Sequence, residues 1–472
     1  MAILLAAAAS GSGKTTLTLA LLAALKRQGL RMQSFKVGPD YIDPMFHTAV
    51  TGIPCRNLDP FLTDEAFVQR CFRHHCQGRD GAVVEGVMGL FDGRAAGSPC
   101  VPERDQVSAD SVCITDFASS AHVARLLGIP VVLVIDSRGM GATVAALLYG
   151  LSRFDPRLTL AGVILNRVAS ERHGQILQQA VASLGIPVLG QFPRCEELQL
   201  PSRHLGLVPV EELPAFSQWQ AAWADLAEQY LDWDQLLPLI RPIPPAVGEL
   251  WPGIPSLPSP VRVAVARDAA FNFYYADNLD LLRVCGAEVV EYSPLQEGLF
   301  PPDPCAGVLL GGGFPELWAD PLSHKIGQHP IPPAHPPLYA ECGGLMVLGE
   351  SLTDFQGETH PMAGLLPLQV SMDGKLCLGY REATVLRSTL LAQAGERLRG
   401  HEFHRSRSWP APANPVYTWG SLGQPQSEGW ATARIHASYL HLHWGSRPDL
   451  ALKLLQNFLR LSTGEPCARQ PS

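Results

Sequence analysis

The chain has 472 residues, 46% of them hydrophobic and 17% charged, enough apolar material for large buried sheets and too much for a disordered polymer. Its formal net charge of −8, with 36 lysines and arginines spread along the chain, gives no basic footprint and argues against a nucleic-acid partner. No apolar run reaches the roughly 20 residues that span a bilayer, and 11 scattered cysteines read as reduced thiols in a cytoplasm rather than a disulfide scaffold.

At about 150 residues per domain, the length predicts two or three domains, and two is the working number. The opening MAILLAAAAS lacks the basic start of a signal peptide and runs directly into a glycine-rich turn, so it reads as a buried first strand over residues 3–8. The turn is SGSGKTT, in which Gly11, Gly13, Lys14, Thr15 and Thr16 open a helix. Glycines let backbone amides close around phosphate oxygens, the helix N-terminus favours anions, Lys14 reaches the outer phosphates and the Thr15 hydroxyl can hold magnesium. The first glycine of the common phosphate-loop pattern is replaced by Ala8, which tilts the match from motor and switch NTPases toward a dethiobiotin-synthetase-like ATPase.

A magnesium nucleotide needs carboxylates, and two glycine-containing segments offer them. KVGPDYIDP carries Asp40 and Asp43, and VVEGVMGLFDG carries Glu85 and Asp92. Glu85 follows the apolar strand 82–84, which places it at the carboxyl edge of a parallel sheet, where such folds bind ligands. Between them lies CFRHHC, with Cys71, His74, His75 and Cys76. Its spacing matches no standard zinc pairing, and Phe67 with Cys71 at i, i+4 fits a buried helix face.

Further buried strands are predicted at 131–135, 163–165 and 187–189, and their alternation with helical stretches implies a mainly parallel α/β sheet. The run RPIPPAVGELWPGIPSLPSP, 241–260, is too rich in proline for helix or sheet and is expected to be a linker between a domain at 1–240 and another at 261–465. The alternation restarts after it, with strands at 261–266, 287–292, 306–313 and 337–344.

In PLYAECGGLMVL an apolar strand ends at Cys342, two glycines follow and a helix-like run begins. That is the shape of a nucleophile elbow, which exposes a thiol at the sheet edge and leaves neighbouring amides free for an oxyanion. Gly343 and, from the preceding strand end, Gly312 and Gly313 are the expected oxyanion donors. In ASYLHLHW, His441 and His443 fall on one face of an extended segment. One serves as base and the other as its orienter, and His441 is the expected base.

Taken together, KVGPDYIDP, EGVMGLFDG, D-x-AFNFYY, GGGFPE, YAECGG, GYREA, GHEFHRS and SYLHLHW resemble the cobyric-acid-synthase-type glutamine amidotransferases, over nearly the whole chain. The resemblance implies two parallel-sheet α/β domains, an amino-terminal dethiobiotin-synthetase-like ATPase and a carboxy-terminal class I glutamine amidotransferase. It makes Cys342 the glutaminase nucleophile and His441 its activating histidine, and it puts Asn166 near adenine. Lys14, Thr15, Asp40, Asp43, Glu85 and Asp92 then serve ATP, Mg2+ and substrate carboxylates. Ordinary triad amidotransferases carry a glutamate two residues beyond the histidine, where this chain has His443.

The implied reaction is ATP-dependent amidation of the a- and c-acetate carboxylates of cobyrinate through acyl phosphates. Cys342 draws ammonia from glutamine, and an enclosed route would keep that ammonia unprotonated. Hydrogenobyrinate and nickel-sirohydrochlorin are alternative tetrapyrroles. Cobyric acid synthase activity, at other positions, is disfavoured by the paired aspartate and glutamate motifs. A ParA-like switch ATPase would have no use for Cys342 or His441. A cytoplasmic enzyme is expected, and a homodimer is compatible with this reading.

Overall fold

The computed structural model describes residues 2–94, 116–195, 202–203, 206–207, 210, 213, 216–240, 248–420 and 425–464. The chain divides into two compact units, Met1–Leu250 and Trp251–Ser472. Of the proline-rich stretch, 241–247 lie outside the described residues and 248–260 carry neither helix nor strand.

The first unit is a seven-stranded parallel sheet. Its strands are β1 (Ala2–Ala7), β2 (Met32–Val37), β3 (Arg56–Leu58), β4 (Gly81–Glu85), β5 (Val131–Asp136), β6 (Leu160–Val168) and β7 (Val188–Pro193). They lie in the order β3-β2-β4-β1-β5-β6-β7. Every residue of β1 is buried, which is why its sequence is apolar without alternation. The chain passes from β1 to one side of the sheet and later returns to the other, so the loops after β1, β2 and β4 converge at one carboxyl edge. Gly13, in a left-handed conformation, caps helix α1 (Lys14–Arg27), whose alanine- and leucine-rich body is buried against the sheet and helix α3 (Phe216–Tyr230). Helix α2 (Ile42–Thr51) follows β2. The helix Glu65–His75 buries Phe67 and Cys71, as the i, i+4 spacing predicts.

In the second unit, β8 (Val261–Ala266), β9 (Ala287–Tyr292), β10 (Gly307–Leu310), β11 (Leu338–Glu341), β16 (Trp430–Ala431) and β17 (Ile435–Ser438) form one sheet. Its order is β9-β8-β10-β11-β17-β16, parallel except at the β16 edge. Helix α4 (Gly343–Leu348) leaves the end of β11. A second, antiparallel sheet is built from β12 (Cys377–Val385), β13 (Arg397–His404), β14 (Tyr417–Trp419), β15 (Gln426–Glu428) and β18 (His441–Leu442), in the order β15-β14-β12-β13-β18. Apart from β18, which falls in the extended segment read at ASYLHLHW, these strands had no counterpart in the sequence-based expectation. RLRGHEFH and CLGYREATV offer no apolar run, and they are held by cross-strand pairing. Among the described residues no helix is long and apolar enough to cross a membrane.

Candidate active sites

At the carboxyl edge of the first sheet, Gly11 and Gly13 take φ of 76° and 92°, a region that favours glycine. A Cβ on Gly13 would lie 2.3 Å from Nδ2 of Asn166, whose amide donates to the Ser12 carbonyl at 2.9 Å. Gly13, Thr16, Asn166, Arg167, Pro193 and Trp223 line an open cleft beside this turn. Arg167, at φ 58°, ties the turn down by donating to the Gly11 carbonyl at 2.8 Å and to Asp136 at 2.6 Å. The Lys14 ammonium donates to the Met88 carbonyl in the loop after β4. Burial, helped by repulsion from Lys36, lowers Lys14 to about 8.

Around the Thr15 hydroxyl the two carboxylate segments meet. It donates to Glu85 Oε1 at 2.7 Å and to Asp43 Oδ2 at 3.3 Å. Between these carboxylates stands Lys36, 2.9 Å from Glu85 and 2.5 Å from Asp43. His47, on α2, meets the other Glu85 oxygen at 2.7 Å, and its Nδ1 lies 3.4 Å from the Cys55 sulfur. Glu85 is fully buried, which by itself would favour the neutral acid, but Lys36 and His47 hold it well below the usual carboxylate range. Burial and the nearby Asp40 push Asp43 the opposite way. Asp40 stands farther out. Its carboxylate accepts the amides of Ile42 at 2.8 Å and Asp43 at 3.1 Å and lies 3.9 Å from Lys36. Asp92 is exposed and accepts the Gly89 amide at 2.8 Å, closing the turn that presents Met88 to Lys14. Lys36 and His47 were not among the residues read from sequence. The signal for Lys36 was a lysine inside a strand that points into the same edge as Glu85.

In the second unit, Cys342 leaves β11 with φ 47° and ψ −102°, a conformation rare for a residue with a Cβ. Its amide donates to the Ser438 carbonyl at 2.8 Å, and Gly344 donates to Gly311 at 3.0 Å, fixing the elbow between neighbouring strands. A Cβ on Gly312 would lie 2.8 Å from His441 Cε1, and one on Gly343 would lie 3.3 Å from the Gly313 amide nitrogen. Gly312 thus lies against the His441 ring, and Gly343, next to Cys342 in the chain, lies against the backbone of Gly313. Burial pushes the Cys342 thiol well above its ordinary value, and Glu316 adds to the effect while the Gly343 amide opposes it. A thiol so placed would need a base to act as a nucleophile.

His441 is fully buried, with Nδ1 3.4 Å from Glu341 Oε2. His401 stacks on its ring at 5.0 Å between centroids. His443, read from sequence as the orienter of His441, is placed elsewhere: it lies 3.7 Å from Asp277 and against the Tyr275 ring at 4.7 Å. The carboxylate beside His441 is Glu341. It immediately precedes the nucleophile, a position that no search for a glutamate downstream of the histidine would visit.

A phosphate-loop ATPase unit followed by a cysteine–histidine elbow unit defines a two-domain, glutamine-dependent amide ligase that uses ATP. Residues 3–208 match the CobQ/CobB/MinD/ParA nucleotide binding domain, and residues 262–449 match the CobB/CobQ-like glutamine amidotransferase domain. The chain is 54% identical to the cobyrinate a,c-diamide synthase of Gloeobacter violaceus, covering 98% of each chain. It is 49% identical to that of Synechocystis, over 95% of this chain and 91% of the other. A hydrogenobyrinate a,c-diamide synthase of Streptomyces coelicolor is 40% identical over 96% of each. The chain belongs to the cobyrinate a,c-diamide synthase family.

Proposed function

We propose that this enzyme amidates the a- and c-acetate carboxylates of cobyrinate in cobalamin biosynthesis, with ATP as phosphoryl donor and glutamine or ammonia as nitrogen source. The observation that carries the nitrogen half is Cys342 at φ 47° at the end of β11, beside the buried His441–Glu341 pair. We assign nitrogen supply to 261–465 and carboxylate activation to 1–240, and infer a cytoplasmic enzyme with no nucleic-acid partner.

In the first unit, a substrate carboxylate oxygen attacks the γ-phosphorus of ATP and ADP leaves. Ammonia then adds to the acyl carbon and phosphate departs. Lys14 and the amides around Gly11 and Gly13 hold the phosphates, and Asn166, which lines the cleft beside the turn, is assigned to the adenine end. Thr15, Glu85, Asp43 and Asp40 form a set of hard oxygen donors whose chemistry fits Mg2+. Bound there, the ion would neutralise phosphate charge. Asp43 and Asp92 are assigned to the substrate side.

In the second unit, the Cys342 thiol passes its proton to His441 and the sulfur adds to the carboxamide carbon of glutamine. Amides of Gly312, Gly313 and Gly343 receive the oxyanion, and Glu341 holds the imidazole in the tautomer that accepts the proton. The proton returns to the departing ammonia, and water hydrolyses the glutamyl thioester.

The test gives the purified enzyme ATP, Mg2+ and glutamine with cobyrinate, hydrogenobyrinate or nickel-sirohydrochlorin in turn, and mass spectrometry counts acid-to-amide conversions. Two conversions are expected on cobyrinate. Cys342→Ala should make no diamide from glutamine and normal diamide from ammonium at raised pH. Glutamine-driven amidation by that variant would place the nucleophile elsewhere.

A further inference from the structure

The turn after β4 carries a side chain that the chemistry above leaves unused. Met88 is 48% exposed although large and apolar, and its φ is 45°, in the region that favours glycine. A single exposed apolar side chain is ordinary, but one held by a strained backbone is not. The turn is pinned on both sides of it. Val87 shares two hydrogen bonds with the Ser120 hydroxyl, its amide donating at 2.9 Å and its carbonyl accepting at 3.0 Å. The Gly89 amide donates to Asp92 at 2.8 Å, and the Leu90 amide donates to the Ala7 carbonyl at 2.8 Å. At Met88 itself the carbonyl accepts from the Lys14 ammonium. Glycine would offer the same carbonyl without strain, so what methionine adds at this position is its side chain.

The surroundings of that side chain are charged. Lys14, Lys36, Asp40, Asp43, Glu85 and Asp92 stand on or beside the turns after β1, β2 and β4. The two carboxylate turns touch, since a Cβ on Gly38 would lie 3.6 Å from the Val87 side chain. Among the described residues, Met88 is the one exposed large apolar side chain on these turns.

An acetate arm has a single methylene between its carboxylate and the ring that bears it. When the carboxylate reaches the phosphate held by Lys14, the edge of the ring is drawn toward the same turn, and its hydrocarbon surface needs an uncharged contact. We propose that the Met88 side chain is that contact, packing on the apolar periphery of the tetrapyrrole beside the acetate being amidated and steadying the arm in the phosphate site. Methionine suits the task, because its unbranched, polarizable thioether adapts to a flat ring. The proposal rests on the reading of the first unit as the site where a tetrapyrrole carboxylate is activated.

Equilibrium dialysis of the full-length enzyme, with Mg2+ and a non-hydrolysable ATP analogue, measures Kd for cobyrinate and for hydrogenobyrinate. Met88→Gly suits the backbone at φ 45° and removes only the side chain. It should weaken both tetrapyrroles roughly 4- to 13-fold, the loss expected from burying the exposed half of one methionine, with Kd for the ATP analogue unchanged. Met88→Leu, which keeps an apolar side chain of similar size, should retain tetrapyrrole affinity. An unchanged tetrapyrrole Kd in Met88→Gly overturns the contact and leaves Met88 a solvated side chain. Equal weakening of the tetrapyrroles and the ATP analogue would mean a distorted turn and overturns it as well. A loss confined to cobyrinate would mean a bond from sulfur to cobalt in place of a ring contact, and this too overturns the proposal. If the parent binds neither tetrapyrrole, the reading of the first unit itself fails and the contact falls with it.

Discussion

Replacing Lys36 by methionine would show how the carboxylate centre is held together. The side chain is nearly the same length, so the perturbation is the loss of one charge from a site where Glu85 and Asp43 lie 2.9 and 2.5 Å from the ammonium and Asp40 lies 3.9 Å away. Removing one partner of a buried pair costs about 3–5 kcal/mol, because the remaining charges lose their compensation. At about 2–4 °C per kcal/mol for a unit of this size, the melting temperature should fall by roughly 6–20 °C.

The pH dependence identifies the cause. In the parent, Glu85 has a depressed pKa, so it stabilises the fold above its unfolded value and loses that contribution only as pH falls. Without Lys36, the crowded carboxylates bind protons more tightly folded than unfolded, so the variant should lose stability as pH rises. Its deficit should be large at pH 8 and shrink toward pH 5. Thermal unfolding by circular dichroism at both pH values, with and without Mg2+, measures this, and Mg2+ should restore part of the loss. A melting temperature within about 2 °C of the parent at pH 8 without Mg2+ would refute the reasoning.

Glu341→Gln should lower glutamine hydrolysis by orders of magnitude while Asp277→Asn has the smaller effect, since the first faces His441 and the second His443; steady-state glutaminase assays decide the order. Lys14, at about 8 in the free enzyme, should take up a proton when ATP binds at pH 8.5. Calorimetry in buffers of different ionisation enthalpy would register that uptake, and a buffer-independent heat would contradict it. His404, raised to about 9, contributes stability that is full below its unfolded value and lost as pH climbs through 9. The unfolding free energy of the second unit should therefore fall between about pH 6.5 and 9, and His404→Gln should flatten that slope.

What was legible in the sequence was what is local. SGSGKTT performs its work within one turn, so strand, glycines, lysine and helix could be read in a single window, and the same is true of the Cys342 elbow. Glu85 was legible because an apolar strand delivers it to the sheet edge. Lys36 was not, since MQSFKV mixes polar and apolar residues without a clear period, and only the structure shows that all six are buried and that Lys36 pairs opposite Glu85. The partner of His441 was also hidden. Period-two alternation puts His441 and His443 on one face, but β18 comprises only His441 and Leu442, and the chain then turns His443 toward Asp277. The antiparallel strands between 377 and 442 are rich in polar residues with no apolar run, the pattern that makes a segment resemble surface loop.

The backbone at Cys342 has a consequence for how this chain varies. A residue with a Cβ held at φ 47° and ψ −102° carries a strain of about 1–3 kcal/mol, which glycine would not. Selection for thermal endurance alone would drive position 342 toward glycine, giving a hardier protein that takes nitrogen only from free ammonia. Cysteine there is kept against the preference of the fold, so a descendant living where ammonium is plentiful has a downhill path to losing its glutaminase while gaining stability.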